Sequence, residues 1–324
     1  MTSSWRRLGL GLVILAMAQV SASGTTQTGP AQPVRRPAPP PPVKRAPPAP
    51  QYIRDQVTQL GQGFDGLVGI AVRSIDDGWE AGWKDGDLYP QQSVSKLWVS
   101  ITALDAVDRG KISLDDKVTL TKDDLTLFHQ PIAENILSGS YTTTVGDLML
   151  RAITTSDNTA NDKLMRVAGG PAAVRAMIAR KHLGAIRFYN GERALQSRIA
   201  GLMWSPAYSI GNAFSLARQA LPKAAREAAF NRYILDPYDG AAPGAIVNAL
   251  AKLKRGELLS PASTSRLLTI MSQTHTGPNR LKGGLQPGWS LSHKTGTGQE
   301  LDGVQAGYND IGILTGPDGR SYAV

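Results

Sequence analysis

The sequence contains no cysteine. The chain therefore cannot form a disulfide, bind a metal through thiolates or carry a lipid on a cysteine side chain. Histidine is also scarce: His129, His182, His275 and His293 are the four, and their spacing matches no metal-ligand motif. We therefore predict that the protein uses neither a metal nor another cofactor.

Acidic residues are missing from the first 50 positions, which hold six basic residues and so account for six of the nine net positive charges. The rest of the chain has little net charge, so no nucleic-acid partner is predicted. Residues 1–22 combine Arg6 and Arg7, a short apolar run and the small residues Val20-Ser21-Ala22. This pattern predicts a cleaved signal peptide, a periplasmic protein and no retained membrane span, with an uncleaved anchor as the alternative.

Residues 23–50 form a proline-rich basic stretch, with ten prolines between Pro30 and Pro50. Proline at this density favours an extended, semi-rigid spacer that has no core. We interpret the stretch as a linker to a domain that occupies residues 51–324. Electrostatic attachment to anionic polymers of the cell envelope is the alternative interpretation.

Strand signals lie at both ends of this domain. A helix is predicted from Tyr52 to Leu60, and strands are predicted from Leu67 to Val72 and from Trp79 to Leu88. Near the other end, polar and apolar residues alternate from Trp289 to Lys294, and a further strand-like segment runs from Gly303 to Leu314. The two ends are therefore expected to build one sheet.

The residues between these strands have mainly helical patterns. A capping box is predicted at Thr144–Asp147, and a helix-like run extends from Phe214 to Phe230. We predict an α+β fold in which helices flank an antiparallel sheet in αβα layers, with an inserted all-helical lobe. The sheet part is expected at about 51–90 and 256–324, and the lobe at about 91–255.

The motif Ser93-Val94-Ser95-Lys96 places a serine and a lysine three positions apart at the start of a helical pattern. Apolar residues follow with the spacing of one buried helix face, at Leu97, Ile101, Leu104 and Val107. A serine hydroxyl is a weak nucleophile at neutral pH, and a neighbouring amine without its proton can activate it. Free N–H groups at a helix start can also stabilise an oxyanion.

Three further motifs follow in the chain. Ser156-Asp157-Asn158 lies between two predicted helices, Glu192 to Gln196 lies in a segment with no clear helical period, and Lys294-Thr295-Gly296-Thr297-Gly298 ends a strand. Together with Ser-x-x-Lys, these motifs resemble the class A β-lactamases, within the penicillin-recognising serine hydrolases. The resemblance extends from about Gln51 to Val324.

This resemblance implies a fold and a set of catalytic residues. Ser93 would form the acyl-enzyme, and Lys96, alone or together with Glu192, would take its proton. Ser156 would pass a proton to the departing ring nitrogen. Glu192 would then activate the water that hydrolyses the acyl-enzyme, which is the step that carboxypeptidases of this superfamily generally lack.

The resemblance also implies substrate-binding residues, which are Asn158, Gln196, Arg280, Lys294, Thr295 and Thr297. Asn158 would bond the substrate amide, while the backbone N–H groups of Ser93 and Thr297 would form the oxyanion hole. Many relatives carry a carboxylate-binding arginine where this chain has Asn309, and Arg280 matches the alternative position. Gln196 departs from the usual asparagine and leaves the deacylation rate open.

Two segments depart from the family pattern. Residues 197–242 form an insertion, either as extra packing on the lobe or as a wall that changes substrate size. The chain stops at Val324, where the family continues with the rest of a strand and a helix, so we expect a truncated copy. We predict a monomeric serine β-lactamase with a small-molecule β-lactam as substrate. The alternatives are a D-Ala-D-Ala carboxypeptidase that acts on peptidoglycan and a non-catalytic peptidoglycan-binding protein.

Overall fold

The computed structural model describes residues 46–324, so the predicted signal peptide and nearly all of the predicted linker lie outside the described residues. The helices are α1 Gln51–Gly63, α2 Lys96–Asp108, α3 Ala133–Leu137, α4 Val145–Thr154, α5 Asn158–Val167, α6 Gly170–Arg180, α7 Glu192–Ile199, α8 Ala213–Ala220, α9 Lys223–Leu235, α10 Pro243–Lys254 and α11 Pro261–Ser272. Within this described part, no helix is both long and apolar enough to cross a bilayer.

The main sheet joins the two ends of the described chain. The strands are β1 Ile70–Ser74, β2 Glu80–Trp83, β3 Lys117–Leu120, β4 Tyr141–Thr144, β5 Ser290–Thr297, β6 Glu300–Leu301, β7 Val304–Gln305, β8 Tyr308–Thr315 and β9 Ser321–Ala323. Five of them form one antiparallel sheet in the order β2-β1-β9-β8-β5. Strand β9 lies at its centre, hydrogen-bonded to β1 and β8.

The two faces of this sheet pack against different helices. Ile70 and Val72 of β1 join Val57 of α1 in one cluster, whereas Ala71 joins the cluster that contains Val247 of α10. Successive strand residues point to opposite faces, so this split follows from the alternation along β1. The layers are therefore αβα, and the predicted fold class is confirmed.

Helix α2 is the centre of the helical lobe. Every residue from Lys96 to Ala106 is buried, and its neighbours are α4, α5, α6 and α11. A helix that is apolar on all sides belongs in the middle of a core, because no face has to meet water. A polar side chain on such a helix needs partners inside the protein, and Lys96 is the first residue of α2.

Several local predictions need correction. The strand predicted from Trp79 to Leu88 is only β2, and the strand predicted from Gly303 to Leu314 is two strands, β7 and β8. The helix-like run from Phe214 to Phe230 is two helices, α8 and α9, because Pro222 between them lacks an N–H and cannot continue a helix. The segment that starts at Glu192 is helix α7, although its sequence has no clear period. At α4, the side chain of Thr144 caps the N–H of Asp147, but the Asp147 carboxylate bonds Thr143 and Arg151, so the reciprocal bond is missing.

The end of β5 lies directly against the turn that carries Ser93. A Cβ atom added to Gly296 would lie 2.3 Å from the backbone oxygen of Gln91 and 3.3 Å from the backbone nitrogen of Ser93. Real Cβ atoms do not approach a backbone oxygen so closely, so only glycine allows this contact. The strand and the turn are therefore fixed relative to each other by backbone contact.

We predict that Gly296→Ala destabilises the fold, because the backbone of β5 or of the Gln91 turn must move. The expected loss is about 1–3 kcal/mol of the free energy of unfolding. Urea unfolding measures this loss. Gly284→Ala is the matched control, because an added Cβ at Gly284 meets no atom within 4 Å. Equal stability of the two variants would contradict the close approach.

Candidate active site

Ser93 lies in a 3₁₀ turn, Gln92–Ser95, which leads directly into α2. The residue before it, Gln92, has φ 53°, a left-handed conformation that is rare for a residue with a side chain. Its backbone N–H donates to Asp239 Oδ2 at 2.8 Å, and this bond helps to hold the strained turn. The turn presents the Ser93 hydroxyl to a cleft, and the side chain of Lys96 lies behind that hydroxyl.

The Lys96 amine joins three of the four sequence motifs. It is completely buried and donates to Ser93 Oγ at 2.7 Å, to Asn158 Oδ1 at 2.9 Å and to Glu192 Oε1. A buried ammonium is stable only when its N–H groups have partners and a counter-charge is close. These three acceptors meet both needs, and the carboxylate of Glu192 supplies the negative charge.

Ser156 lies between α4 and α5, in a left-handed conformation with φ 60°. The cap of α5 is not Ser156 but Asp157, whose carboxylate accepts from the backbone N–H groups of Ala160 and Ile132. Ser156 Oγ is therefore free to accept from Lys294 Nζ at 2.9 Å. Burial, together with the nearby Lys96 cation, holds the pKa of Lys294 well below its ordinary value.

Helix α7 carries Glu192 at its first position, and α5 fixes that position. Asp162 Oδ1 accepts from the backbone N–H of Glu192 at 2.9 Å, and Oδ2 accepts from that of Arg193 at 3.4 Å. Asp162 therefore acts as the cap of a helix that is distant in sequence. Burial first, and the neighbouring Glu192 carboxylate second, raise the pKa of Asp162 to about 6.

Gln196 lies one turn after Glu192 and contacts it. Its amide N–H donates to Glu192 Oε2 at 3.2 Å and to Gln92 Oε1 at 3.1 Å, while its own Oε1 accepts from Gln299 Nε2 at 3.0 Å. The extra methylene of glutamine thus brings the amide into direct contact with the carboxylate. Both oxygens of Glu192 therefore have a hydrogen-bond donor.

The opposite side of the cleft is cationic. Lys294 is completely buried, and Arg280 Nη2 donates to Thr297 Oγ1 at 2.5 Å. The Arg280 guanidinium also lies 3.7 Å from the centre of the Tyr308 ring. Asn309 is directed elsewhere, because its amide donates to the backbone oxygen of Pro90 at 2.8 Å. Arg280, and not Asn309, is thus the residue beside Thr297.

The ten predicted site residues come together around this cleft, which has a volume of ≈ 380 Å³. Lys96, Glu192 and Lys294 lie behind its wall. The lining residues are Ser93, Phe128, His129, Ser156, Asn158, Gln196, Thr276, Gly277, Arg280, Thr295, Thr297, Gly298 and Gln299. None of these lining residues lies in 197–242, the segment predicted to be an insertion, so this segment does not line the cleft. Phe214 of α8 packs edge-on against Phe128 with ring centres 5.0 Å apart.

Gln92, Asp162, Tyr233 and Asp239 hold the site residues in place and were not predicted. Asp162 lies inside α5 and caps a helix that begins 30 residues later, so no local pattern marks it as a cap. Tyr233 and Asp239 are close in sequence, but both meet Gln92 only across more than 140 residues. Among the described residues, no group of three or more histidine and acidic side chains could hold a metal ion.

We predict an unusual pH dependence of stability from Asp239. Burial raises its pKa from 3.8 to about 6, so between these values the folded chain binds a proton that the unfolded chain has lost. The free energy of unfolding contributed by Asp239 therefore falls as pH rises through this window, by up to about 1.4 kcal/mol per pH unit. Asp239→Asn should remove this component, which urea unfolding at several pH values measures.

Asp236→Asn is the control for this prediction, because the Asp236 side chain is 73% exposed and pairs at the surface with Arg187. It should keep the pH profile of the unchanged protein. An identical pH profile for Asp239→Asn and Asp236→Asn would contradict the assignment.

Comparisons with known proteins agree with this geometry. The family model for the Beta-lactamase enzyme family matches residues 52–324. The chain is 29% identical to the extended-spectrum β-lactamase PER-1 of Pseudomonas aeruginosa over 84% of this chain and 78% of that protein. It is 28% identical to β-lactamase VEB-1 of the same organism, over 72% and 67%.

A crystal structure of a β-lactamase from Chitinophaga pinensis is similar, with TM-score 0.68, 30% identity and coverage of 84% of this chain and 88% of that one. The TLA-3 extended-spectrum β-lactamase matches with TM-score 0.67, 26% identity and coverage of 84% and 87%. With the family model covering nearly all of the described residues and the four motifs meeting at one cleft, the chain belongs to the β-lactamase enzyme family.

Proposed function

We propose that this protein hydrolyses the amide bond of β-lactams through an acyl-enzyme on Ser93. The observation that carries this proposal is the position of Glu192. Its carboxylate is almost fully buried and bonded to the amine of Lys96, which in turn bonds the Ser93 hydroxyl. A carboxylate at this place is the residue type that activates a water against an ester on Ser93.

In acylation, Ser93 Oγ attacks the β-lactam carbonyl and gives its proton to the base formed by Lys96 and Glu192. The hydrogen bonds from Lys96 to Ser93 and to Glu192 support a direct transfer. The negative oxygen that develops on the carbonyl is bound by the backbone N–H groups of Ser93 and Thr297. The C–N bond then breaks, and Ser156, which is bonded to Lys294, donates a proton to the ring nitrogen. The proton that the base took from Ser93 replaces the one that Ser156 has given up, so Glu192 is again free to accept a proton.

The substrate carboxylate binds on the cationic side of the cleft. Lys294 supplies a buried charge, and Thr295 and Thr297 supply hydroxyl groups. Arg280 reaches Thr297 and so places a second cation beside the same spot. Two cations and two hydroxyl groups suit a planar anion. Asn158 Nδ2 already donates to the backbone oxygen of Leu127, so Asn158 offers its remaining bonding capacity to the substrate amide.

In deacylation, Glu192 takes a proton from a water that attacks the ester carbonyl. The ester bond to Ser93 Oγ breaks, and that oxygen recovers a proton from Lys96. Gln196 bonds Glu192 Oε2 directly and thereby restrains the carboxylate. The attacking water must therefore share Glu192 Oε2 with the Gln196 amide.

One observation favours a second function, a penicillin-inhibited carboxypeptidase that acts on peptidoglycan. Because the Gln196 amide occupies Glu192 Oε2, the same contact that restrains the base also competes with the water. Slow deacylation would leave a long-lived adduct on Ser93. The two functions are distinguished by the lifetime of that adduct.

The cellular location and the oligomeric state of the enzyme are part of the same proposal. The basic and apolar start of the sequence supports export to the periplasm, where β-lactams act on peptidoglycan synthesis. The site is assembled within one chain, which supports a functional monomer.

We predict that Glu192→Gln is acylated but turns over at least about 100-fold more slowly, because the amide cannot accept the proton of water. A chromogenic cephalosporin measures turnover, and intact-protein mass spectrometry detects the adduct. Ser93→Ala should form no adduct. Glu134→Gln is the control, because Glu134 is an exposed carboxylate on α3.

Unchanged turnover in Glu192→Gln would refute the role of this carboxylate. A stable adduct on the unaltered protein, without turnover, would favour the carboxypeptidase. An absence of both adduct and turnover would leave a binding protein as the function.

A further inference from the structure

The inserted segment reaches the site from behind, through a chain of buried hydrogen bonds. Tyr233 on α9 is fully buried, and its hydroxyl donates to Asp239 Oδ1 at 2.8 Å. The same hydroxyl accepts from Gln92 Nε2 at 2.6 Å. Gln92 Oε1 accepts from Gln196 Nε2, which also donates to Glu192 Oε2. A residue of the insertion is therefore connected to the proposed general base through two amides.

Tyr233 sets which group donates and which accepts in each hydrogen bond of this series. Burial raises the pKa of Tyr233, so its hydroxyl keeps its proton, and the acceptor nearest to it is the carboxylate of Asp239. The hydroxyl oxygen can then only accept from its other neighbour, so Gln92 must turn its NH₂ group toward Tyr233. Its carbonyl oxygen consequently faces Gln196.

The second amide is oriented by the first. Because Gln92 offers an oxygen, Gln196 turns its NH₂ group toward it, and the same NH₂ group meets Glu192 Oε2. The carbonyl oxygen of Gln196 faces away and accepts from Gln299. The proposed base thus receives an N–H donor, whereas a reversed amide would set an oxygen against a carboxylate.

We propose that Tyr233 is a positioning residue for deacylation: its hydroxyl fixes the orientation of the Gln92 and Gln196 amides and so holds the Glu192 carboxylate in place. This inference rests on the function proposed above. It gives the predicted insertion, residues 197–242, a role in turnover, although none of its residues lines the cleft.

Loss of the hydroxyl removes the constraint without removing the rest of the site. In Tyr233→Phe, the Gln92 amide is free to reverse, and Gln196 can follow it, which exposes Glu192 to a repelling oxygen. The backbone N–H of Gln92 still donates to Asp239 Oδ2, and Lys96 still bonds Ser93. The contacts used in acylation, from Lys96 to Ser93 and from Lys96 to Glu192 Oε1, therefore remain, whereas Glu192 Oε2 loses its restraint.

The experiment compares Tyr233→Phe with Tyr238→Phe. The control removes a hydroxyl from a tyrosine that packs against Tyr233 with ring centres 5.8 Å apart but stacks on Arg198 instead of bonding Gln92. For Tyr233→Phe we expect kcat on a chromogenic cephalosporin to fall about 10- to 100-fold. KM should fall in parallel, so kcat/KM stays within about threefold, and the acyl-enzyme should accumulate in intact-mass spectra during turnover.

A loss of stability alone does not produce this pattern. If Tyr233→Phe and Tyr238→Phe turn over at the same rate, the inference is wrong, whatever their melting temperatures. It is also wrong if kcat/KM falls as much as kcat, since the nucleophile would then be the group displaced. If the unaltered protein itself has no turnover, the proposed function has failed instead.

A second variant keeps the inference testable if Tyr233→Phe does not fold. Gln92→Met removes the middle amide but leaves the Tyr233–Asp239 bond, and it should give the same selective fall in kcat. Where both variants fold, the double variant should lose no more activity than Gln92→Met alone, because the two residues act along one path. If the activity losses of the two single variants added up in the double variant, the two residues would not act through one series of hydrogen bonds.

Discussion

The buried ammonium of Lys96 is the charge on which the rest of the site depends. An ion without water around it is costly, so its partners must come from the protein, and here they come from three separate segments. Ser93 lies in the turn before α2, Asn158 begins α5 and Glu192 begins α7. Satisfying one amine therefore fixes how three parts of the lobe meet. The same contacts bring the Ser93 hydroxyl, the proposed nucleophile, within 2.7 Å of the Lys96 amine.

The acidic groups around this charge are equally constrained. Asp162 and Asp239 are buried carboxyls, each bonded to the backbone N–H of a residue that the chemistry needs in place, Glu192 and Gln92 respectively. Burial raises the pKa of both to about 6, which means that keeping them ionised opposes folding. The fold tolerates this cost at the two points where a strained turn and a helix start must be held.

The sequence predicts the parts of the site that are local and misses those that are not. Ser93 and Lys96 lie within one turn, so their spacing is informative by itself. Helix α7 was missed because its cap, Asp162, lies 30 residues earlier and its own side chains are directed to the site instead of following a hydrophobic period. Tyr233 was missed because it meets Gln92 across 141 residues. The break at Pro222 could have been predicted, since proline interrupts a helix.

A long segment beside the proposed general base would be expected to loosen it, yet both ends of residues 197–242 lie close to one residue, Gln92. Gln196, just before the insertion, bonds the side chain of Gln92, and Asp239, near its end, bonds the backbone of Gln92. The segment between them is therefore a closed loop. The entropic cost of closing a loop rises only slowly with its length. Helices α8 and α9 can therefore occupy this segment without displacing Glu192. Tyr233 contributes a third bond to Gln92, so the insertion reinforces the residue that holds it.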